Sequence, residues 1–525
     1  MILGIDFGTC FSSIAAMSGW APVSSIFDKN NKGIPTKFMY SKLQSKALYG
    51  NECNVGEART HSEDVVLYMK KTIRQNPKNI DMEIVSGGKS FTIRGIVAGY
   101  LNYLLEEAKN KAAQSQEFLT TEIEEITVTV PVGIAEGQMT ATDYNRHIRS
   151  VMTDLTGLPV DKIHIVQEPV AAAIYYLYGE DTRTKHKSKK SILVFDLGGG
   201  TLDVTIVAHD PIAMSYAIKA KEGDLDLGGN NWDNALAKLI MTKIGVTKAN
   251  FDKEEYNRFR DNVIRLKEQL SDTEDDEEIL VSFKCGGVSK CTDITKIEFE
   301  EATKHLLDRA MEITKKALFA NSSLGAKAID QIVLVGGGSN MPQIRDRMVG
   351  EFGAFLGENN ILTHDPSKAI AKGAAIFSKL DNAHVNIVKD IATLTYGFGS
   401  TNSELHKSMI YNLLFKGTAF DENGVIFVKT PIAFVGLTPD QKEIQWIVYE
   451  SDVNAKDCLD GHWIDYGANA HKNGMSITIT VPKEYSGKAD KYRCFPSFKL
   501  DTNGILEITI TDEKGKQLGY QKKQI

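Results

Sequence analysis

The chain has 525 residues, enough for roughly three or four structural units of about 150 residues. Hydrophobic residues make up 42% and charged residues 25%, the balance of an ordinary soluble globular protein. With 61 basic and 68 acidic side chains the formal charge is -7, which argues against a surface built for nucleic-acid phosphates, and no apolar run approaches the ~20 residues that cross a membrane.

The opening run, Met1 to Asp6, reads as a strand of a mature protein, because no basic segment precedes an apolar one. Ile2-Leu3-Gly4-Ile5-Asp6-Phe7-Gly8 ends in an acid and a glycine turn, and the chain re-enters a strand from Ser13 to Met17. The pattern returns without a gap as Ile192-Leu193-Val194-Phe195-Asp196-Leu197-Gly198, re-entering from Leu202 to Ala208. One such unit is a common strand–turn–strand. Two copies with the same lead-in predict a duplicated domain, divided near residue 190, with nucleotide in the cleft between its halves. Glycines let backbone amides approach phosphate oxygens where a Cβ would obstruct them. An Asp beside each turn suits Mg2+, which keeps several waters when bound to phosphates. No G-x-x-x-x-G-K-[ST] loop occurs.

Farther along, Leu227-Gly228-Gly229-Asn230 opens a helix over Trp232 to Lys243. The strand Ile332 to Val335 runs into Gly336-Gly337-Gly338-Ser339, then into a helix from Pro342 to Phe352 with its proline near the first turn. Strands and helices alternate to residue 380, so this part is α/β. The acidic run Asp272 to Glu278 and the basic stretch Arg183 to Lys190 read as solvated connections. A polar–apolar connector follows over 381–391. Beyond it, alternating runs at 394–399, 424–429, 443–449 and 476–482, with a hairpin over 498–512 around Asn503-Gly504, predict an antiparallel β-sandwich. The six cysteines form no C-x-x-C pair and fit reduced thiols of a cytoplasmic protein.

Five of these pieces carry a resemblance. G-I-D-F-G-T at 4–9, E-P-V-A-A-A at 168–173, D-L-G-G-G-T-L-D at 196–203, V-G-G-G-S-N-M-P at 335–342 and A-I-A-K-G-A-A at 369–375 resemble the nucleotide-binding domain of the DnaK-type heat-shock-seventy chaperones, within the actin and sugar-kinase superfamily. The resemblance implies an α/β actin-like two-lobed ATPase domain followed by an all-β sandwich domain. The boundaries are 1–380 with a closing segment over 340–380, a linker over 381–393, and the sandwich over 394–525. It implies ATP or ADP, Mg2+ and K+ as ligands. Gly8, Thr9, Cys10 and Phe11 would form the first phosphate turn, and Gly199, Gly200 and Thr201 the second. Asp6, Asp196 and Asp203 would organise the metal, mainly through water. Lys70, Glu168 and Thr201 would be catalytic, with Lys70 on the γ-phosphate side and Glu168 beside the attacking water. Pro131 matches the family's proline switch. Lys267 and Ser271, four apart on one helical face, match adenosine contacts, while Gly337, Gly338 and Asn340 stand at the adenine turn. The plain alternatives are a surface lysine at 70, a helix cap at Glu168 and a solvated helix face at 267 and 271.

Several positions depart from the family. Asn340 stands where an arginine stacks on adenine, Ile264 where a glutamate contacts ribose, and Cys10 replaces a threonine. Met139 replaces an arginine tied to interdomain signalling, and His164 stands near another arginine position. In the sandwich, Phe398 and Ser400 are the candidate peptide contacts, Phe398 reading more readily as core. The chain ends one strand after the last hairpin, where the family continues into a helical lid, so a lidless form of the family is the expectation.

The function expected is an ATP-dependent molecular chaperone that binds unfolded or extended apolar segments of other proteins and cycles affinity through weak ATPase turnover. J-domain and nucleotide-exchange co-chaperones are its implied partners; nucleic acid and membrane are not. The alternatives are a nucleotide-dependent scaffold or sensor for a dedicated protein partner, and a small-metabolite kinase on the same fold.

Overall fold

Two sheets built to one plan carry the chain as far as the connector. The computed structural model describes all residues except 20, 24–32, 76–79, 132–140, 182–188, 212–214, 320–328, 364, 382–387, 390–391, 393, 422–424, 468–469, 502–504 and 525. The first sheet holds β1 (Ile2–Asp6), β2 (Phe11–Ser18), β3 (Ala21–Val23), β4 (Glu125–Val130) and β5 (Ile163–Gln167), in the order β5-β4-β1-β2-β3, with the short strand Ile34–Pro35 also pairing β2. The second holds β6 (Lys190–Leu197), β7 (Leu202–Asp210), β8 (Ser215–Asp224), β9 (Gln331–Val335) and β10 (Ile361–Leu362), in the order β10-β9-β6-β7-β8. In both, the leading strand pairs antiparallel with the next in sequence and parallel with a later one. The sequence repeat is therefore a repeat of topology. Strands such as β4 and β6 are almost wholly buried, because helices cover both sheet faces.

The helices that matter for the site are α1 (Met69–Gln75), α2 (Glu168–Asp181), α3 (Gly229–Lys243), α4 (Lys253–Leu270) and α5 (Ala369–Asp381). The alanine-rich motifs at 168–173 and 369–375 have a packing reason for their composition. α2 and α5 cross so closely that a Cβ on Gly373 would stand 1.7 Å from the Ala171 carbonyl oxygen. A Cβ on Gly4 of β1 would stand 2.3 Å from that of Ala371. These small residues form a core between the two sheets, with Val194, Val207 and Val333 on its second-sheet side. The segment expected to close the domain over 340–380 is thus divided. The helix Pro342–Leu356 and β10 stay with the second sheet, whereas α5 returns to pack on β1, β2 and β4.

The connector is more structured than its sequence suggests. α5 runs to Asp381, and β11 (Val388–Lys389) adds to the edge of the second sheet, parallel to β8, with Val388 opposite Tyr216. The rest of the expected linker, apart from Ala392, lies outside the described residues, as do Met139, the Asn503-Gly504 turn and most of the stretch from Arg183 to Lys190.

The last part is the expected sandwich. Its strands are β12 (Thr395–Asn402), β13 (Lys407–Leu414), β14 (Val425–Lys429), β15 (Glu443–Ser451), β16 (Trp463–Ile464), β17 (Ala470–Thr480), β18 (Phe495–Asp501), β19 (Ile505–Thr511) and β20 (Gln517–Gln524). They form a five-stranded sheet, β16-β13-β12-β15-β17, and a four-stranded one, β14-β18-β19-β20. Phe398 is fully buried between them, with its ring 4.9 Å from those of Phe434 and Trp446 and 5.7 Å from Tyr411. It is core, while Ser400 on the same strand is half-buried. The sandwich is held to the second sheet by Lys416, whose Nζ lies 2.8 Å from Glu222 of β8 and 2.6 Å from Asp452.

Candidate functional site

The hairpin turns of the two sheets face each other. Between β1 and β2 the turn Gly8–Phe11 is so tight that a Cβ on Gly8 would lie 1.9 Å from the Phe11 carbonyl. Thr36 braces it from outside: its hydroxyl donates to the Gly8 carbonyl at 3.0 Å and its amide to that of Cys10 at 2.8 Å. Between β6 and β7, the Gly198 amide closes the second turn on the Thr201 carbonyl at 3.0 Å. The Gly229 and Asn230 amides, at the start of α3, donate to Gly198 and Gly199 at 2.9 and 2.8 Å. A Cβ on Gly199 would meet Cys10 Sγ at 2.4 Å, and one on Gly200 would meet Thr9 at 3.6 Å. The glycines thus serve the approach of the lobes as well as room for a ligand. Burial pushes the Cys10 thiol above its ordinary range, so it stays protonated.

Beneath the turns lie the acids. Asp196 and Asp203 are opposite each other on β6 and β7, and both are buried. Asp6 accepts a hydrogen bond from Thr129 at 3.1 Å. Its carboxyl is pushed up to about 7, first by desolvation and then by the charge of Glu168. Asp196 is raised well above the carboxylate range by burial, then by Glu168, Asp203 and Asp6. The cation among them is Lys70, which donates to Glu168 Oε1; the two are 2% and 7% exposed. Burial opposes the Lys70 charge, but Glu168, Tyr144 and Asp6 outweigh it and hold the ammonium above its ordinary value. Glu168 opens α2, so it is both the first residue of a helix and a member of this cluster.

Four carboxyl groups crowd around one ammonium, and the repulsion that pushes up Asp6 and Asp196 is what a divalent cation among them would relieve. Among the described residues no group of three or more His, Cys, Asp or Glu side chains is placed to hold an ion directly. The acids therefore suit a hydrated ion such as Mg2+ better than a bare one.

The side chains expected at the nucleoside end lie on the second lobe. Lys267 Nζ is 2.7 Å from Asp233 and donates to the Gly229 carbonyl at 3.4 Å. Ser271 donates back to the Lys267 carbonyl at 3.1 Å. Asn340 is exposed and donates to Gly337 at 3.1 Å and to Ser367 at 3.4 Å, while Ile264 is exposed on α4. Gly337 has open space above it, whereas Gly338 is buried against Leu197. Phe11 is exposed and Pro131 buried.

Gly336 was not singled out by sequence reasoning, yet it is the member of its glycine run that touches the acids. Its φ is 80°, and a Cβ there would stand 2.4 Å from Asp196 Oδ1. Thr129, Asp233 and Asn230 were also missed. Thr129 is the one with a sequence signal, since its alternation within β4 puts it on the Asp6 side.

Comparison with known proteins identifies the family. The family model described as Hsp70 protein matches residues 2–415. The chaperone protein DnaK of Halobacterium salinarum is 27% identical over 523 residues, covering 98% of this chain and 73% of that protein. The mitochondrial-type heat shock protein 70 of Encephalitozoon cuniculi is 27% identical over 540 residues, covering 98% and 82%. The stromal 70 kDa heat shock-related protein of the pea chloroplast, Pisum sativum, is 24% identical over 531 residues, covering 91% and 70%. No helix among the described residues is long and apolar enough to cross a membrane.

Proposed function

The chain belongs to the Hsp70 family and is an ATP-dependent chaperone by that membership, and from this premise we propose that it holds Mg2+-ATP between the two glycine turns and couples hydrolysis to the grip of the β-sandwich on extended polypeptide. The observation that carries the reading is the buried Lys70–Glu168 pair, set among Asp6, Asp196 and Asp203 where the turns meet. Phosphoryl transfer to water mainly requires positioning and charge stabilisation. The turn amides at Gly8–Phe11 and Gly199–Thr201 would cradle the phosphates. Lys70, kept charged by its acids, would face the charge that develops on the γ-phosphoryl oxygens. Glu168, oriented by the Lys70 hydrogen bond and by its place at the head of α2, would align the attacking water and take up its proton. Asp6, Asp196 and Asp203 would hold Mg2+ through its waters, and the ion supplies neutralisation of phosphate charge.

The β-sandwich would bind the polypeptide. Ser400 stays a candidate contact on β12, and Phe398 supports that strand from the core. The link between activities would run through β8, which carries both β11 and Glu222.

The test is steady-state ATP hydrolysis by the full chain, with and without unfolded apolar peptides. Peptide-stimulated turnover supports the reading. Tight ATP binding without turnover or peptide response overturns it in favour of a nucleotide-dependent scaffold or sensor. One observation favours that second reading: the side chains of Lys267 and Asn340 are already engaged by partners within the chain.

A further inference from the structure

The wall of the cleft beside the second glycine turn is chemically uneven. α4 buries one stripe of side chains, Phe259, Val263, Leu266 and Leu270, in the core of the second lobe. Displaced by one position throughout, Arg260, Ile264, Lys267 and Ser271 form a second stripe of the same spacing, turned about 100° from the first. That second stripe is laced to the start of α3. Arg260 donates to the Asp233 carbonyl at 3.2 Å, while Lys267 reaches the Asp233 carboxylate at 2.7 Å and the Gly229 carbonyl at 3.4 Å. The start of α3 in turn roofs the second turn: the Gly229 and Asn230 amides bond Gly198 and Gly199, and a Cβ on Gly228 would stand 2.5 Å from the Gly200 backbone.

A nucleotide whose γ-phosphoryl group sits at Lys70 and Glu168 leaves the turns sugar first on the far side, between this wall and the open space above Gly337. A site that hydrogen-bonds a hydroxyl rejects the analogue lacking it, because its own polar group is then stranded; an apolar contact rejects neither. Here the polar members of the stripe are turned onto the protein. Arg260 and Lys267 are held by Asp233 and Gly229, and Ser271 donates to the Lys267 carbonyl at 3.1 Å. Across the gap the Asn340 amide is held by Gly337 and Ser367. Between the two cations stands Ile264, 38% exposed, which can neither donate nor accept. Glu268, a turn farther on, is exposed outside the stripe, where water competes for any hydrogen bond it makes.

We infer that Ile264 leaves the cleft without a reader for the sugar hydroxyls: the site selects nucleoside polyphosphates by their phosphates and takes 2′-deoxynucleotides as well as ribonucleotides. The inference rests on the nucleotide reading above and extends it to the class of nucleotide. Covering an exposed aliphatic side chain is favourable under either sugar, so Ile264 contributes to affinity without contributing to choice.

The experiment is calorimetric titration of the full chain with unlabelled ADP and 2′-deoxy-ADP in Mg2+, for the parent, Ile264→Ala, Ile264→Gln and Ile264→Glu. The readout is the ratio of the two dissociation constants, which cancels any general loss of affinity. In the parent the two nucleotides should bind within about threefold of each other. Ile264→Ala should weaken both by about threefold and leave the ratio unchanged. Ile264→Gln and Ile264→Glu put an acceptor on the wall and should each favour ADP by about tenfold. Because Ile264 is on the surface of α4, these variants keep the core stripe intact, and Gln tests the acceptor without the added charge of Glu. A parent that prefers ADP by more than threefold overturns the inference and leaves the nucleotide reading standing. A ratio that neither Gln nor Glu moves overturns it too, since the sugar then does not meet Ile264. A parent that binds neither nucleotide overturns the nucleotide reading and the inference with it.

Discussion

Replacing Lys70 by Met separates what the buried pair does for the fold from what it does for catalysis. Lys70 and Glu168 are 2% and 7% exposed, and the same charge on Glu168 already raises Asp6 and Asp196. Removing the ammonium alone strands a charged carboxylate beside two others. Breaking a buried pair in this way costs about 3–5 kcal/mol, whereas replacing both partners with neutral groups of similar shape is often close to neutral. Lys70→Met should therefore lower stability by about 3–5 kcal/mol, and Lys70→Met/Glu168→Gln should recover at least about half of that loss. Hydrolysis behaves otherwise. It should fall by about a hundredfold to a thousandfold in the single variant and stay down in the double. The assays are urea unfolding of the full chain, reading the first transition because several domains do not unfold as one, and single-turnover hydrolysis. A single variant as stable as the parent would show that the pair is solvated, and a double variant that regains turnover would remove Lys70 and Glu168 from the chemistry.

Lys416→Glu should release the sandwich from the second sheet, raising proteolytic cleavage within 381–393 about tenfold or more; adding Glu222→Lys should restore part of the protection, and no restoration would mean the pair does not hold the domains. His147 is buried, and its imidazole is pushed down to about 4 by burial and by Arg94, against the opposing charge of Asp81. The fold prefers it neutral, so its share of stability is complete above the ordinary value of 6.5 and is lost as pH falls toward 4, by at most about 3 kcal/mol. His147→Phe should flatten the urea midpoint against pH across that window, and an unchanged slope would refute the assignment. Gly373→Ala should cost about 3 kcal/mol or more, since its Cβ would overlap the Ala171 carbonyl, whereas Gly350→Ala, in open space within a helix, should stabilise by about 0.5–1 kcal/mol; thermal unfolding of both compares them.

Much of the architecture was legible because it is written in period and repetition. The strand–acid–glycine unit at Asp6 and Asp196 pairs as an antiparallel hairpin in both copies, and the sandwich strands appear where apolar residues alternate. The site acids were legible for the same reason, being tied to those turns. What could not be read was whatever depends on two distant segments meeting. Nothing local marks Val388 as a strand, because its partner Tyr216 lies in another part of the chain. The same holds for Thr129 on Asp6. The reason for Gly336 was hidden too. A glycine run advertises freedom of backbone, but which member needs it depends on Asp196 passing beneath.

The register of one hairpin brings the buried acids and the anchor of the sandwich within a residue of each other. Asp203, among the acids under the glycine turns, lies opposite Gly223, and Val204 lies opposite Glu222, the anchor of Lys416. Four positions beyond Glu222 on the chain, Asp226 reaches across the cleft mouth to Lys71 at 3.0 Å, and at the other end of β8 Tyr216 carries the connector strand. A sheet strand moves as a rigid unit on the scale of such contacts, so a shift of the second lobe that parts the cleft shifts Glu222 and the bed of β11 together. The coupling proposed above would then need no long chain of intermediates: β8 and the residues just past it carry the pair that crosses the cleft mouth, the anchor of Lys416 and the bed of β11.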